Sequence, residues 1–373
     1  MRAFIFIARA IALAAVLLAS AAGPAGAQAC SAPYLVQQTF TRGTYSTEWT
    51  LCWSTPATYG LTITAAYFRP GPGKPLIKIF SDARVTDIFV PYHSGSPRFY
   101  DLSEFDFPMM TLTSADCPAA AGGTLLGNPA VVCQEVHDRG LAWKMSDGRV
   151  YRGREVVLWS ALQAANYVYV FRWRFRDDGV VVGEIAATGT NLPGIPTQAH
   201  MHNATWRLDI DLNGAGGDNA MLLSHVESGA AAVDSQTVIP TERGLAWNGL
   251  RFNALHIFDS QLKNSRGHAS GFMLMPDRTG TARHQEPFTQ RDLWVTAQDP
   301  SQMRPSGLPD YVRANRSVSN TDIVVWYTGS VHHMFRDEDG RLSGGSFSGA
   351  TQAMWASFML KPHNLFDGPP FWP

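Results

Sequence analysis

Apolar and polar residues alternate with a period of two over much of the chain. The runs LTITAAYF, KIFSDARVTDIFV, REVVLWSA, YVYVFRWRF, VVVGEIAATG, ATWRLDIDL, DLWVTA and DIVVWYT each read as a short β-strand. Glycine- and proline-rich breaks such as RPGPGKP, DDG, NGAGG and GPPFWP separate them. No apolar stripe at helical spacing extends beyond about two turns. The pattern predicts an all-β protein, a large antiparallel β-sandwich with few, short helices. Within YVYVFRWRF, Tyr167, Tyr169, Phe171, Trp173 and Phe175 share one strand face, while Val168, Val170, Arg172 and Arg174 share the other. The first set predicts an aromatic stripe packed between two sheets.

The first segment breaks this pattern. Arg2 and Arg9 precede or flank the apolar run AIALAAVLLASAA, which ends in the small residues of GPAGAQA. Residues 1–29 therefore read as a secretory signal, and 30–373 as a single domain. The run is too short to span a bilayer, and no later segment reaches the ~20 apolar residues of a membrane helix. The expected location is secreted or periplasmic. In such an oxidising compartment the four cysteines read as two disulfides. Sequence neighbours suggest Cys30–Cys52 and Cys117–Cys133, although three pairings are open. A zinc site is the rival, weakened by the lack of any Cys-x-x-Cys pair. The chain has 373 residues, 45% hydrophobic and 16% charged, with a formal net charge of −1. That balance carries no electrostatic bias towards nucleic acid or an anionic membrane.

Candidate chemistry lies in histidines and acids. AHMHN supplies His200 and His202, whose imidazoles on a strand point the same way, ~7 Å apart at Cα. SVHHMFRDED offers His332 and His333 as a source of a third ligand. Three imidazoles with no thiolate suit copper or zinc and leave positions open for water or substrate. The plainer reading is a surface histidine pair. RLDIDLNG places Asp209 and Asp211 on one strand face, with parity opposite to the histidine pair. With the Ile210 carbonyl they are hard oxygen ligands that suit calcium, and Asp322 is a remote partner. Their plainer reading is a solvated strand end.

Taken together, the segments resemble the catalytic domain of the copper-containing, topaquinone-dependent amine oxidases, from about Glu48 to Phe366. VPYHSGSPRFYDLSEF, ADCP with VVCQE, NYVY, AATGT, HMHNATWRLDIDLNG, RHQEPFTQRDLWVT, DIVVWYTGSVHHMFRDED and MLKPHNLFDGPP occur in the family's order. The resemblance implies a large antiparallel β-sandwich. It places Tyr167, after Asn166, where the family carries the tyrosine oxidised to topaquinone. His200, His202 and His333 match the ligands of copper(II), and Tyr92 matches the tyrosine that hydrogen-bonds the quinone. Asp101 falls at the catalytic-base position, with Glu104 and Asp106 as rivals. Asp209, Ile210 (carbonyl), Asp211, Asp322 and Ile323 (carbonyl) match a peripheral calcium site, and Cys117 and Cys133 a disulfide. The implied reaction takes a primary amine and molecular oxygen to an aldehyde, ammonia and hydrogen peroxide. The implied assembly is a homodimer, with an abbreviated arm at HIFDSQLKNSRGHASG.

The match departs at two positions of the tyrosine motif: Gln163 replaces a threonine and Val168 an acid. By parity Val168 points away from the face of Tyr167. Against the family pattern the sequence reads as lacking the smaller N-terminal domains, and the segment NLPGIPTQA is short, so a more open entrance is expected. Two other readings compete: a non-catalytic copper-binding relative with Tyr167 unmodified, and a carbohydrate-binding sandwich using exposed Trp49, Trp53 and Trp294.

Overall fold

The computed structural model describes residues 30–229, 231–251, 253–277, 286–343 and 346–372. The signal segment 1–29 and residues 283–285 of the RHQEPF motif lie outside them. Among the described residues the fold is two large antiparallel sheets, of nine and ten strands. The α-helix Leu308–Tyr311 has only four residues. Among the described residues no helix is long and apolar enough to cross a membrane.

The centre of the first sheet runs through neighbouring strands Thr62–Arg69, Ile77–Pro91, His200–Ile210, Ile323–His333 and Leu293–Ala297. The second sheet is centred on Thr351–His363, Val181–Gly189, Tyr167–Arg176 and Val150–Ala164. The aromatic stripe lies where its parity puts it: burial strictly alternates along Tyr167–Arg176. Trp173 and Trp206, from opposite sheets, both make edge contacts with Phe358, at 6.0 and 5.4 Å between centroids. Each fully buried phenylalanine of this layer, such as Phe175, contributes ~1.5–3 kcal/mol of apolar burial.

Burial also removes the carbohydrate reading. Trp49, Trp53 and Trp294 are 0%, 2% and 5% exposed and belong to the core. Trp49 packs on Phe68 and Phe175, and the Trp294 indole donates to the Phe288 carbonyl. Their polar edges are therefore not on offer to a ligand.

Two disulfides join Cys30 to Cys52 and Cys117 to Cys133, with Cα separations of 5.9 and 5.8 Å. These are the neighbour pairings. A two-residue turn, Ala165–Asn166, joins the strands Val150–Ala164 and Tyr167–Arg176, so that Ala164 lies opposite Tyr167. Tyr167 is thereby held at one end of its sheet. On its other side Gly189 is the cross-strand partner of Tyr167. A Cβ at Gly189 would lie 2.6 Å from the Asn166 carbonyl oxygen, and its φ is +104°, so the AATGT glycine is needed for this close approach.

Candidate metal centre and cavity

The centre is assembled by register. In the pairing of His200–Ile210 with Ile323–His333, His200 lies directly opposite His333, and His202 follows two residues on along the inward face. One ligand atom from each of the three lies within 4.8 Å of the others, and all three side chains are buried. His332 has the opposite parity: it is exposed and stacks on His93, 4.8 Å between centroids. The structure thus brings His333, not His332, to the pair.

Each imidazole has one nitrogen engaged outside the centre and one turned into it. His200 Nδ1 lies 3.0 Å from the Gln198 carbonyl, leaving Nε2 inward. His202 Nδ1 lies 2.9 Å from the Tyr169 hydroxyl. That hydroxyl donates to Asp101, so its oxygen is left to accept from Nδ1–H. His333 Nε2 lies 3.4 Å from Asp339 Oδ2, and Arg336 holds that carboxylate from its backbone N–H and its guanidinium. Partners of this kind fix the tautomer and orientation of metal-binding histidines. Burial pushes the His200 imidazole down to about 4 and His202 well below its ordinary value. All three are therefore neutral at pH 7 and present lone pairs inward, as a divalent ion requires.

The Tyr167 hydroxyl closes the group, 2.8 Å from His200 Nε2 and 3.2 Å from His333 Nδ1. Tyr92 stacks on His200 at 4.3 Å and hydrogen-bonds Tyr167. On the other side of the aromatic pair, Asp101 accepts from Tyr169. The segment carrying Asp101 is pinned by Asp87, a buried carboxyl that accepts from the Leu102 backbone N–H and the Ser103 hydroxyl. The Asp101 carboxyl is raised to about 7, by burial first, with Asp87 and Glu104 adding to the effect and the Tyr169 hydrogen bond opposing it. Glu104 and Asp106 are exposed and turned elsewhere: Glu104 accepts from the Tyr100 N–H, and Asp106 from Thr58.

The enzyme-domain profile of the copper amine oxidases matches residues 44–372. The chain belongs to the copper amine oxidase family. It is similar to a histamine oxidase of Arthrobacter globiformis, 26% identical over 77% of this chain and 51% of that protein. It is similar at the same identity to a primary amine oxidase of Arthrobacter sp. (strain P1), over 83% of this chain and 57% of that one. The chain thus spans about half the length of the curated relatives it matches. Among solved structures, the copper-containing benzylamine oxidase of Hansenula polymorpha aligns with a TM-score of 0.69 at 17% identity, covering 93% of this chain and 64% of that chain. A lysyl oxidase of Pichia pastoris aligns at 0.65 and 19%, covering 88% and 52%. At these identities the structural likeness speaks to the fold.

Within this family member the three imidazoles fit copper: an all-nitrogen donor set, neutral, buried and oriented from behind. A cavity of about 200 Å³ leads to the ring of Tyr167 and to Asp101. Leu192 of the short NLPGIPTQA segment lines it, together with Phe105 and Phe107. Asn166 is half-buried beside Tyr167, and its amide donates to the Thr190 carbonyl at 2.7 Å, tying the turn to the end of AATGT. The two departures from the tyrosine motif, Gln163 and Val168, are cross-strand partners of each other on the outward face. Neither touches the centre.

Asp209, Asp211 and Asp322 gather at the opposite end of the histidine strands. Among the described residues, the three histidines alone form a group of such ligand atoms within 4.8 Å, so these acids are less tightly drawn together. Asp211 accepts from Lys78 and Ser81, and Asp209 from Arg207 and Gln298. One oxygen each of Asp209, Asp211 and Asp322 is buried without a hydrogen-bond partner. Burial and the neighbouring carboxylates raise Asp322 to about 7 and Asp218 to about 9. Orphaned, mutually repelling carboxylate oxygens are the chemistry of a hard-cation site.

Sequence reasoning treated Tyr169 only as core and missed its bridge from His202 to Asp101. The signal was present, since Tyr169 shares the face of Tyr167. It also assigned no role to Asp339, although its partners Arg336 and His333 lie only three and six residues away, or to Asp218, which pairs with the distant Thr321.

Proposed function

We propose that this chain is a copper-dependent primary-amine oxidase in which Tyr167 is the precursor of topaquinone. The carrying observation is the Tyr167 hydroxyl, within hydrogen-bond distance of two inward histidine nitrogens, with its ring at the end of a cavity that also holds Asp101. Copper and the quinone would supply an electrophilic carbonyl for the amine and a route for two electrons to molecular oxygen; the products are an aldehyde, ammonia and hydrogen peroxide.

This chain's own residues do the rest. His200, His202 and His333 hold the ion. Asp101 takes the substrate's α-proton, and a carboxyl poised near 7 is matched to accepting a proton from carbon at neutral pH. Tyr169 donates to the Asp101 carboxylate and so fixes its position. Tyr92 orients the Tyr167 ring edge through their hydrogen bond. The apolar cavity wall keeps bulk water from the reacting carbon.

Three finer readings go with this one. Calcium is held by Asp209, Asp211 and Asp322 with the Ile210 and Ile323 carbonyls, supported by the orphaned carboxylate oxygens there. The protein is secreted or periplasmic, which its two disulfides support. It is a homodimer, with the hairpin of Ala254–Lys263 and Ala269–Pro276 at the position of the family's arm.

The test is to add copper(II) to metal-free protein in air. A visible absorption band should develop and shift on addition of phenylhydrazine, the intact mass should rise, and primary amines should then yield peroxide. Tyr167→Phe should show none of these. Colourless copper-loaded protein of unchanged mass would leave the non-catalytic relative in place of the oxidase.

A further inference from the structure

The cavity in front of Tyr167 has a composition that selects among amines. Its walls are Val90, Phe99, Phe105, Phe107 and Leu192, and Asp101 is the charged residue that lines it. The aromatic part comes from the segment that supplies Asp101. In Glu104–Phe105–Asp106–Phe107 the side chains alternate, so the two phenylalanines line the cavity while the two acids face solvent. Phe105 and Phe107 stand 5.3 Å apart at 37°, and Phe105 remains 46% exposed at the entrance. The space, about 200 Å³, equals roughly six or seven times a water's share of liquid volume. That accommodates one aromatic ring on a short alkyl arm.

Resting on the oxidase reading, we propose that the substrate class is small arylalkyl monoamines, with Phe105 and Phe107 as the specificity-determining residues. The ammonium group sits by Asp101 and the ring lies against the phenylalanine pair, where aromatic faces and edges favour offset or T-shaped contact. Methylamine would fill only the inner end and leave the apolar wall wet. Putrescine would carry its second ammonium among Phe105, Phe107 and Leu192, where, among the described residues, no carboxylate other than Asp101 lines the wall, and an unpaired charge against an apolar wall is disfavoured. Glu104 and Asp106 do not relieve this, being engaged with the Tyr100 N–H and with Thr58.

The test has a binding arm and a turnover arm. In the binding arm, metal-free protein is titrated calorimetrically with 2-phenylethylamine, methylamine and putrescine. The aryl amine should bind at least about tenfold more tightly than either, and Phe105→Ala and Phe107→Ala should each erase about tenfold of that preference. Equal binding of putrescine, or a preference unmoved by both substitutions, would overturn the proposal. In the turnover arm, copper-loaded protein should show the same order in kcat/KM, and the phenylethylamine-to-methylamine ratio should fall about tenfold in each variant. Aryl-selective binding without oxidation of any amine would sink the oxidase reading and leave the cavity's selectivity standing. Oxidation of methylamine and putrescine as readily as of phenylethylamine would do the reverse. Circular dichroism of each variant separates a lost fold from a lost contact, and Phe105→Tyr should restore most of the preference.

Discussion

The strand pair His200–Ile210 and Ile323–His333 carries ionisable groups at both ends, and burial acts on them in opposite ways. At one end three imidazoles are stripped of solvent and thereby kept neutral, which is the form that binds a metal. Each has its rear nitrogen satisfied, by Gln198, Tyr169 or Asp339. At the other end, the same removal of water acts on acids, and Asp209, Asp218 and Asp322 are all raised. Arg207 reaches one oxygen of Asp209 and Lys78 one of the neighbouring Asp211, and several oxygens of the cluster stay unpartnered. Buried bases become neutral donors at little cost. Buried acids wait for a cation or a proton. One ladder thus builds a centre that is complete in its protein partners and a cluster that is not.

The sharpest way to break the contrast is at Asp101, a raised carboxyl that belongs to the histidine end. Asp101→Asn should lower kcat by about 10²–10⁴-fold while copper retention is unchanged. In the unsubstituted protein kcat/KM should rise with pH through about 7, as Asp101 loses its proton. A variant within a few-fold of the parent, or a profile without that limb, would remove Asp101 from the base role.

The acid end should report itself in stability. The carboxyls of Asp218 and Asp322 are raised above their unfolded values, to about 9 and about 7. Folding therefore takes up protons there. The stability tied to them is fully present below about pH 4 and is lost as pH rises through 7 towards 9. With chelator present, Tm should fall by several degrees between pH 5 and pH 8. Calcium at about 100 times its Kd should add ~2.7 kcal/mol at the higher pH. Asp322→Ala should blunt the calcium response. A Tm that climbs over that range and ignores calcium would mean the acids are partnered in some other way.

The smallest effect is expected at the outward rung. Val168→Glu restores the family's acid at a position that faces away from the centre, opposite Gln163. The rate of colour development and kcat should stay within about threefold, since surface substitutions rarely exceed ±0.5 kcal/mol. A tenfold gain in either would show that charge one residue from Tyr167 acts through the strand.

Strand parity alone carried much of the architecture: the aromatic stripe, the shared face of His200 and His202, and the opposed face of Asp209 and Asp211 were legible because a strand's side chains alternate. The disulfide partners were legible as neighbours along the chain. The family's motifs added His333, Tyr92 and Asp101 as expectations. What alternation cannot encode is which strand lies beside which, and at what offset.

The sequence by itself therefore determined the local faces, because that information repeats every two residues. Tertiary structure decided the rest. It set His200 opposite His333, turned His332 outward onto His93, hung Asp101 from the Tyr169 that also holds His202, and buried Trp49, Trp53 and Trp294. Each of these rests on a contact between residues far apart in the chain, fixed by inter-strand register and by how two sheets share one core. No short window of sequence contains that information.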